Sequence, residues 1–127
     1  MCGFIATKGV KTYLTSIIDT ISYRGLPGYQ GYYAQKDIQM AHIALPFVDK
    51  NPINSVQPRY YNNEPALFVG EIFNYKNFGT YQTDGDLITE KFYKEGVDSF
   101  HDFDGFWSFV GIVNDHLFVV TDYLSQK

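Results

Sequence analysis

The apolar residues of this 127-residue chain come in short runs of strand length, which are separated by glycine, by proline or by the turns predicted at Lys36-Asp37 and Asn114-Asp115. The runs lie at residues 2–7, 32–35, 38–45, 66–69, 105–113 and 117–121. Their length and their boundaries favour β-strands over helices. Aromatic residues make up 18% of the chain, and flat rings pack well on the half-buried surface of a pleated sheet. We therefore expect a substantial sheet.

Helical periodicity is clear in two stretches. Between Val10 and Gly25 the apolar residues recur every three or four positions, which predicts one amphipathic α-helix. Asp84 to Glu95 predicts a second helix, and Gly96 is its stop signal. Its inward-facing residues are expected to be Leu87, Ile88 and Phe92. Because the helices lie between runs of hairpin-connected strands without strict alternation, the predicted class is α+β.

Size and charge limit the function further. The length suits one compact domain spanning residues 1–127. The chain has 10 Lys and Arg against 14 Asp and Glu, a net charge of −4, with no basic run that could neutralise several phosphates. It also has no apolar window of membrane-spanning length and no segment of signal-peptide type. We expect no nucleic-acid or membrane partner, and a cytoplasmic location.

The one cysteine stands directly after the initiator methionine, so an internal disulfide is impossible. If Met1 is removed, Cys2 carries a free α-amino group beside its thiol. An α-amino group has a pKa of about 7.7–8.0 and a cysteine thiol one of about 8.5, so the amine can take the thiol proton at neutral pH. Cys2 would then combine nucleophile and base in one residue. The alternative is a cysteine buried as a small hydrophobic residue on the first strand.

Several sequence blocks decide between these alternatives. They are Met-Cys-Gly-Phe-Ile at 1–5, Tyr-Arg-Gly-Leu-Pro at 23–27, Ala-His-Ile-Ala-Leu-Pro-Phe-Val-Asp at 41–49, Gln-Pro at 57–58, Phe-Val-Gly-Glu-Ile-Phe-Asn-Tyr at 68–75, Thr-Asp-Gly-Asp at 83–86, Phe-Asp-Gly-Phe-Trp-Ser-Phe at 103–109 and Val-Thr-Asp at 120–122. In this order they resemble the blocks of class II glutamine amidotransferases, and those of the glutaminase domain of asparagine synthetases in particular. The resemblance covers essentially the whole chain.

The resemblance implies the N-terminal-nucleophile hydrolase fold, a four-layer α/β/β/α sandwich of antiparallel sheets. It also implies that the Cys2 thiolate attacks the side-chain amide of glutamine, with its own α-amino group as general base. Gly70 would supply a backbone N–H to the oxyanion hole. Asp84 would bind the α-ammonium group of glutamine, and Glu71 would line the same pocket. The expected product is ammonia, which passes to an ATP-dependent synthetase; no cofactor or metal is expected in this chain.

The segment 44–48 falls where family members contact glutamine, partly through the backbone, and we expect Ala44 and Phe47 to contact the substrate there. Ala44 replaces the arginine that binds the α-carboxylate of glutamine in the family, and Val69 replaces an oxyanion-hole asparagine. Loss of one charge-assisted hydrogen bond weakens binding by roughly 10- to 150-fold. Loss of one oxyanion donor costs about 10²–10³ in rate. A catalytically silent, amidotransferase-like binding or scaffolding module is therefore the alternative function.

The resemblance also bears on completeness. The family pattern continues after Asp122 with a further block and more strands, whereas this sequence stops at Lys127. We expect an incomplete sandwich with an uncovered sheet edge, completed by a second polypeptide or by oligomerisation. The synthetase is expected to be a separate chain.

Other candidate residues have simpler interpretations. Asp84 could be a helix N-cap, and Gly70 could end a strand. His42 is expected to be a hydrogen-bonded core histidine and not a catalytic base, and His101 and His116 to be surface or turn residues. Cys2 and these three histidines are widely separated without paired ligand spacing, so we expect no zinc site. A carbohydrate-binding surface built on exposed Tyr side chains and Trp107 is a minor alternative, since most of these aromatic residues fit a core better.

Overall fold

The computed structural model describes residues 2–45 and 51–125, apart from the side chain of Pro52. The chain divides into two compact units, Met1–Pro58 and Arg59–Lys127. Each unit contains one antiparallel sheet within the described residues. This confirms the predicted α+β class with antiparallel sheets.

The first unit is built on a three-stranded sheet. Its strands are β1 (Gly3–Lys8), β2 (Gln30–Gln35) and β3 (Ile38–Ile43). β3 lies in the centre and is antiparallel to both neighbours, in the order β1-β3-β2. The β2–β3 hairpin turns at Lys36-Asp37, as the sequence predicts. A short 3₁₀ segment, Pro52–Ser55, follows later in the unit.

The helix predicted over Val10 to Gly25 is wrong in extent and type. The structure has one α-helical turn, α1 (Leu14–Ile17), followed by a 3₁₀ segment at Ile18–Arg24. The stretch is rich in β-branched residues, which lose side-chain freedom in a helix, and α1 has no side-chain N-cap. The Thr20 hydroxyl donates to the Ile17 carbonyl at 2.6 Å, an i−3 contact that suits the tighter helix.

The apolar periodicity of this stretch still gives the inward face. Leu14 and Ile18 form a buried cluster with Ala41 and Ile43 of β3. Ile5, Ile17 and Ile21 pack against it. Two apolar residues of the periodic stretch, Val10 and Tyr13, are exposed because they precede the helical turn. The cluster fixes the helical segment against the centre of the first sheet.

The second unit contains a four-stranded sheet in the order β4-β5-β6-β7, with every neighbour antiparallel. Its strands are β4 (Arg59–Tyr61), β5 (Glu64–Ile72), β6 (Gly105–Val113) and β7 (His116–Thr121). The helix α2 (Asp84–Glu95) has the predicted bounds, and 3₁₀ segments occur at Tyr75–Phe78 and Val97–Phe100. The β6–β7 hairpin was predicted, whereas β4 was missed and β5 extends beyond the predicted Ala66–Val69.

The core of the second unit is aromatic. From α2, Ile88 and Phe92 pack on Phe68 of β5 and on Phe109 of β6, and Leu87 is also buried. Phe100 contacts the rings of Phe92, Trp107 and Phe109. The inward face predicted for α2 is therefore confirmed. No helix in the described part of the chain is long and apolar enough to cross a membrane.

Candidate active site

Cys2 lies half-buried at the start of β1, in the first unit. Its Sγ accepts a hydrogen bond from the backbone N–H of Leu45 at 3.3 Å. The Nε of Arg24 donates to the Cys2 carbonyl at 3.3 Å. A Cβ added to Gly3 would lie 2.8 Å from Cδ of Arg24, so the arginine side chain lies directly over the backbone of residue 3. These contacts hold the sulfur beside the chain segment that leaves β3.

Ala44 precedes Leu45, whose N–H donates to the Cys2 sulfur, and Ala44 is fully buried. Its N–H donates to the Tyr29 carbonyl at 2.8 Å, and its carbonyl accepts from Leu26 at 2.9 Å. A Cβ on Gly25 would lie 2.7 Å from the Ala44 carbonyl oxygen. The glycine-rich loop after the first helical segment therefore packs directly on Ala44. The position at which the resemblance implies an arginine is therefore occupied by a buried alanine. Phe47, the other expected contact of this segment, lies outside the described residues.

Gly70 lies inside β5, opposite Trp107 of β6, so its interpretation as a strand-ending turn residue is wrong. Its φ is +132°, a conformation that side-chain-bearing residues rarely adopt. A Cβ at this position would lie 2.1 Å from the carbonyl oxygen of Phe106 and 2.5 Å from Cα of Trp107. Glycine is required because the β6 backbone approaches β5 too closely for any side chain.

The hydrogen bonds of β5 show which way its N–H groups point. The N–H of Phe73 points toward the neighbouring strand and donates to the carbonyl of Asp104, the residue before β6. The N–H of Ile72 instead donates to Oδ2 of Asp84 at 2.9 Å. In an antiparallel pair, successive residues direct their N–H and C=O groups alternately toward and away from the neighbouring strand. The N–H of Gly70, two residues before Ile72, therefore also points away from β6. Gly70 and Asp84 lie along the same edge of β5.

Asp84 is the first residue of α2 and is half-buried. The helix is capped by Thr83, which forms a capping box with Asp86, so the N-cap interpretation of Asp84 is wrong. The Asp84 carboxylate instead accepts from the N–H groups of Ile72 and Gly85, each at 2.9 Å.

The electrostatics of this carboxylate favour a cation. Burial raises the pKa of Asp84, the N–H groups of Ile72 and Gly85 partly offset this, and the negative charge of Glu71 raises it further. Glu71 itself is exposed, at the position after Gly70 on β5. An ammonium group bound here would compensate two carboxylates, one of which is desolvated. The structure thus brings Gly70, Glu71 and Asp84 together at one end of β5.

The remaining candidates differ in their surroundings. Val69 is buried and apolar, so it supplies no hydrogen-bond donor. Arg59, the other arginine besides Arg24, lies with Nη1 3.4 Å from Oδ1 of Asp86. As predicted, His42 is fully buried, while His101 and His116 are exposed.

Trp107 is buried in the core of the second unit, where its ring contacts Phe100. This contradicts the minor alternative of a carbohydrate surface that uses Trp107.

Comparison with known proteins assigns the chain to a family. The family model described as glutamine amidotransferase domain matches residues 1–127. The chain belongs to this family. No curated protein matches the chain. Family membership makes glutamine the expected substrate of this glutamine amidotransferase domain.

Two contacts of these candidate residues were not predicted. The N–H of Leu45 beside the Cys2 sulfur and the N–H of Ile72 beside Asp84 are backbone groups, and no residue type marks them in the sequence. The signal nearest to them is the pair of sequence blocks at 41–49 and 68–75, in which both residues lie.

Proposed function

We propose that this domain is a class II glutamine amidotransferase that hydrolyses the side-chain amide of glutamine through Cys2. The observation that carries the proposal is the position of the Cys2 sulfur, which accepts a hydrogen bond from the N–H of Leu45, in a chain that belongs to the glutamine amidotransferase family. Removal of Met1 places the α-amino group on the same residue as the thiol. This pairing needs no histidine, and His42, the buried histidine, is left to the core.

The proposed reaction has two steps. The Cys2 α-amino group takes the thiol proton, sulfur bonds to the amide carbon of glutamine, and the carbonyl oxygen carries the negative charge. As that intermediate collapses, the C–N bond breaks, the ammonium group of Cys2 returns a proton, and ammonia leaves. Water then hydrolyses the γ-glutamyl thioester to glutamate and free thiol. The N–H of Gly70 is proposed to stabilise the oxyanion in both steps.

Substrate recognition is proposed to use the carboxylates near Gly70. Asp84 binds the α-ammonium group of glutamine, and the charge of Glu71 adds to the attraction. The segment that contains Ala44 and Phe47 is proposed to contact the rest of glutamine, partly through its backbone. Because Ala44 carries no charge, we expect weaker binding of the α-carboxylate than in members with arginine at this position.

The proposed partner is an ATP-dependent synthetase that consumes the ammonia. A cytoplasmic location belongs to the same proposal, because such a partner draws on cytoplasmic ATP.

A second candidate function rests on Ala44 and Val69. Both residues are buried, and neither supplies the polar group that the family uses at that position. A domain that has lost these groups can serve as a silent binding or scaffolding module. The two candidates differ in one measurable property, the release of glutamate from glutamine.

The deciding experiment is a glutaminase assay on protein whose loss of Met1 is verified by intact mass. The matched variants are Cys2→Ala, which removes the nucleophile, and Cys2→Ser, which keeps a weaker one. We expect glutamate release by the processed wild type, none by Cys2→Ala and very slow release by Cys2→Ser. A form with a blocked amino terminus should be inactive, because it lacks the base. No release by processed wild type, alone or with candidate synthetases, would favour the silent module.

A further inference from the structure

The backbone of Trp107 is held by an unusual partner. β7 ends at Thr121, and the next residue, Asp122, is buried. The N–H of Asp122 donates to the Trp107 carbonyl at 2.9 Å, and the N–H of Trp107 donates to Oδ2 of Asp122 at 3.0 Å. A side-chain carboxylate thus takes the place that a strand carbonyl would occupy in the ladder.

The carbonyl of Asp122 is used elsewhere, which explains the substitution. It accepts from the N–H of Ser125 at 2.9 Å, while Oδ1 of Asp122 accepts from Leu124 at 2.9 Å. The chain turns away from the sheet at this point. Without the carboxylate, the N–H of Trp107 would lose its acceptor inside the protein, which is costly for a buried group. Asp122 therefore follows the last residue of β7 and also holds Trp107, the residue of β6 next to the last β6–β7 pair, Ser108 and Thr121.

This fixed segment of β6 lies against Gly70. Because both backbone groups of Trp107 point toward Asp122, Trp107 and Gly70 form a non-hydrogen-bonded pair, in which the two strands approach most closely. The steric limits on Gly70 come from the carbonyl of Phe106 and from Cα of Trp107. The position of Gly70, and the direction of its N–H, thus depend on where residues 106–107 are held.

We propose that Asp122 is a positioning residue for the amidotransferase reaction, whose carboxylate holds Phe106 and Trp107 in the place that aims the Gly70 N–H at the oxyanion. This inference rests on the proposed function of Gly70. Asp122 contacts no reacting atom in this proposal. It acts on the step in which negative charge develops on oxygen, and not on the binding of glutamine by Asp84.

The test compares Asp122→Asn with Tyr93→Phe. An asparagine offers one acceptor oxygen where the carboxylate offers two, so one of the N–H groups of Trp107 and Leu124 loses its partner. Tyr93→Phe is the matched control, because the Tyr93 hydroxyl also serves two backbone groups, Pro65 O and Ile112 N, at the far end of the same β5–β6 pair. Both variants lose hydrogen bonds to the backbone of the sheet, but only the first lies beside Gly70.

We expect Asp122→Asn to lower kcat by about 10- to 100-fold with KM for glutamine within about twofold, since a small misplacement of a catalytic group has effects of this size. Alkylation of Cys2 by iodoacetamide, which develops no oxyanion, should keep its wild-type rate. Tyr93→Phe should change kcat less than about twofold per folded molecule. Equal losses of kcat in the two variants, or a rise in KM alone, would overturn the proposal.

A second readout separates this inference from the proposed function. In protein labelled with ¹⁵N-glycine, the Gly70 amide resonance should shift in Asp122→Asn and stay in place in Tyr93→Phe. A protein that releases no glutamate but shows this shift contradicts the proposed function and leaves the positioning contact intact. An unmoved Gly70 resonance overturns the inference whatever the activity. If Asp122→Asn does not fold, Asp122→Glu keeps the charge and displaces it by one methylene. We expect the same shift of the Gly70 resonance from this variant, and the same fall in kcat with KM for glutamine nearly unchanged.

Discussion

The carboxylate of Asp84 accepts a hydrogen bond from the backbone N–H of Ile72 at 2.9 Å, and this contact joins the first residue of α2 to the last residue of β5. Asp84 is free for this role because Thr83 and Asp86 cap the helix between them. The carboxylate is thereby fixed along the edge of β5 to which the Gly70 N–H points. The relationship links the proposed substrate-binding residue to the proposed oxyanion donor through three residues of one strand.

Asp84→Asn should weaken glutamine binding. Asparagine keeps the shape of the side chain and one acceptor oxygen, but it carries no charge for the α-ammonium group. We expect KM for glutamine to rise by roughly 10- to 150-fold, the equivalent of one charge-assisted hydrogen bond. The measurement is steady-state glutaminase kinetics, with exposed Asp98→Asn as the control for a lost acidic residue. A KM equal to that of the control would contradict the binding role of Asp84.

The pH dependence of KM should report the same carboxylate. Burial and the charge of Glu71 raise the pKa of Asp84 above its ordinary value. As pH falls through this raised pKa, Asp84 becomes neutral, so KM should begin to rise at a higher pH than an ordinary aspartate would give. Asp84→Asn should lack this rise. The same inflection in both proteins would assign it to another group.

The effect of Asp84 on stability should have the opposite sign to that of a salt-bridged aspartate. Its pKa is raised in the folded protein, so the folded state binds the proton more tightly than the unfolded state does. The contribution of Asp84 to the free energy of unfolding should therefore increase as pH falls through the raised pKa. Urea unfolding of wild type and Asp84→Asn across this pH range isolates the contribution, because the substituted residue does not titrate. A wild-type protein that loses stability relative to the variant on acidification would refute this assignment.

Gly70→Ala should be strongly destabilising. Alanine is strained at a φ of +132°, and its Cβ would approach the Phe106 carbonyl to 2.1 Å. Backbone strain and overpacking each cost about 1–3 kcal/mol, so we expect a loss of about 2–6 kcal/mol in the free energy of unfolding. Gly96→Ala is the matched control, because Gly96 also has a positive φ, of 81°, but a Cβ there meets nothing within 4 Å. Denaturant unfolding should show a smaller loss in the free energy of unfolding for Gly96→Ala than for Gly70→Ala. Similar losses would mean that the β6 backbone can move away from residue 70 at little cost in free energy.

The sequence predicted the second unit better than the first for reasons that lie in particular residues. α2 was predicted with its correct bounds because its apolar spacing agrees with an acidic first turn and with Gly96 as a stop. The β6–β7 hairpin was predicted because Asn114 and Asp115 both tolerate a positive φ. In the stretch that begins at Val10, by contrast, the apolar spacing was helical while the β-branched residues opposed a regular α-helix.

Other features were missed because their signals were short or absent. β4 contains three residues, and its turn at Asn62-Asn63 gave the only local indication of a hairpin. Of the site, residue types and sequence blocks pointed to Cys2 and Asp84. The partners of these residues, Leu45 N–H and Ile72 N–H, are set by how chain segments distant in sequence pack together. Such backbone contacts have no sequence signature.

Arg24→Lys should slow the chemical step. The Nε of Arg24 donates to the Cys2 carbonyl, and its stem packs over Gly3. Lysine keeps the charge but has no nitrogen at the Nε position, so the backbone that carries the nucleophile and its α-amino base loses one fixed contact. We expect kcat to fall by about 10-fold with KM nearly unchanged, because misplacement of the nucleophile acts on the transition state. Lys8→Met, which removes an exposed ion pair with Asp37 in the same unit, should leave kcat unchanged. If Arg24→Lys raises KM and spares kcat, Arg24 binds substrate instead of holding Cys2.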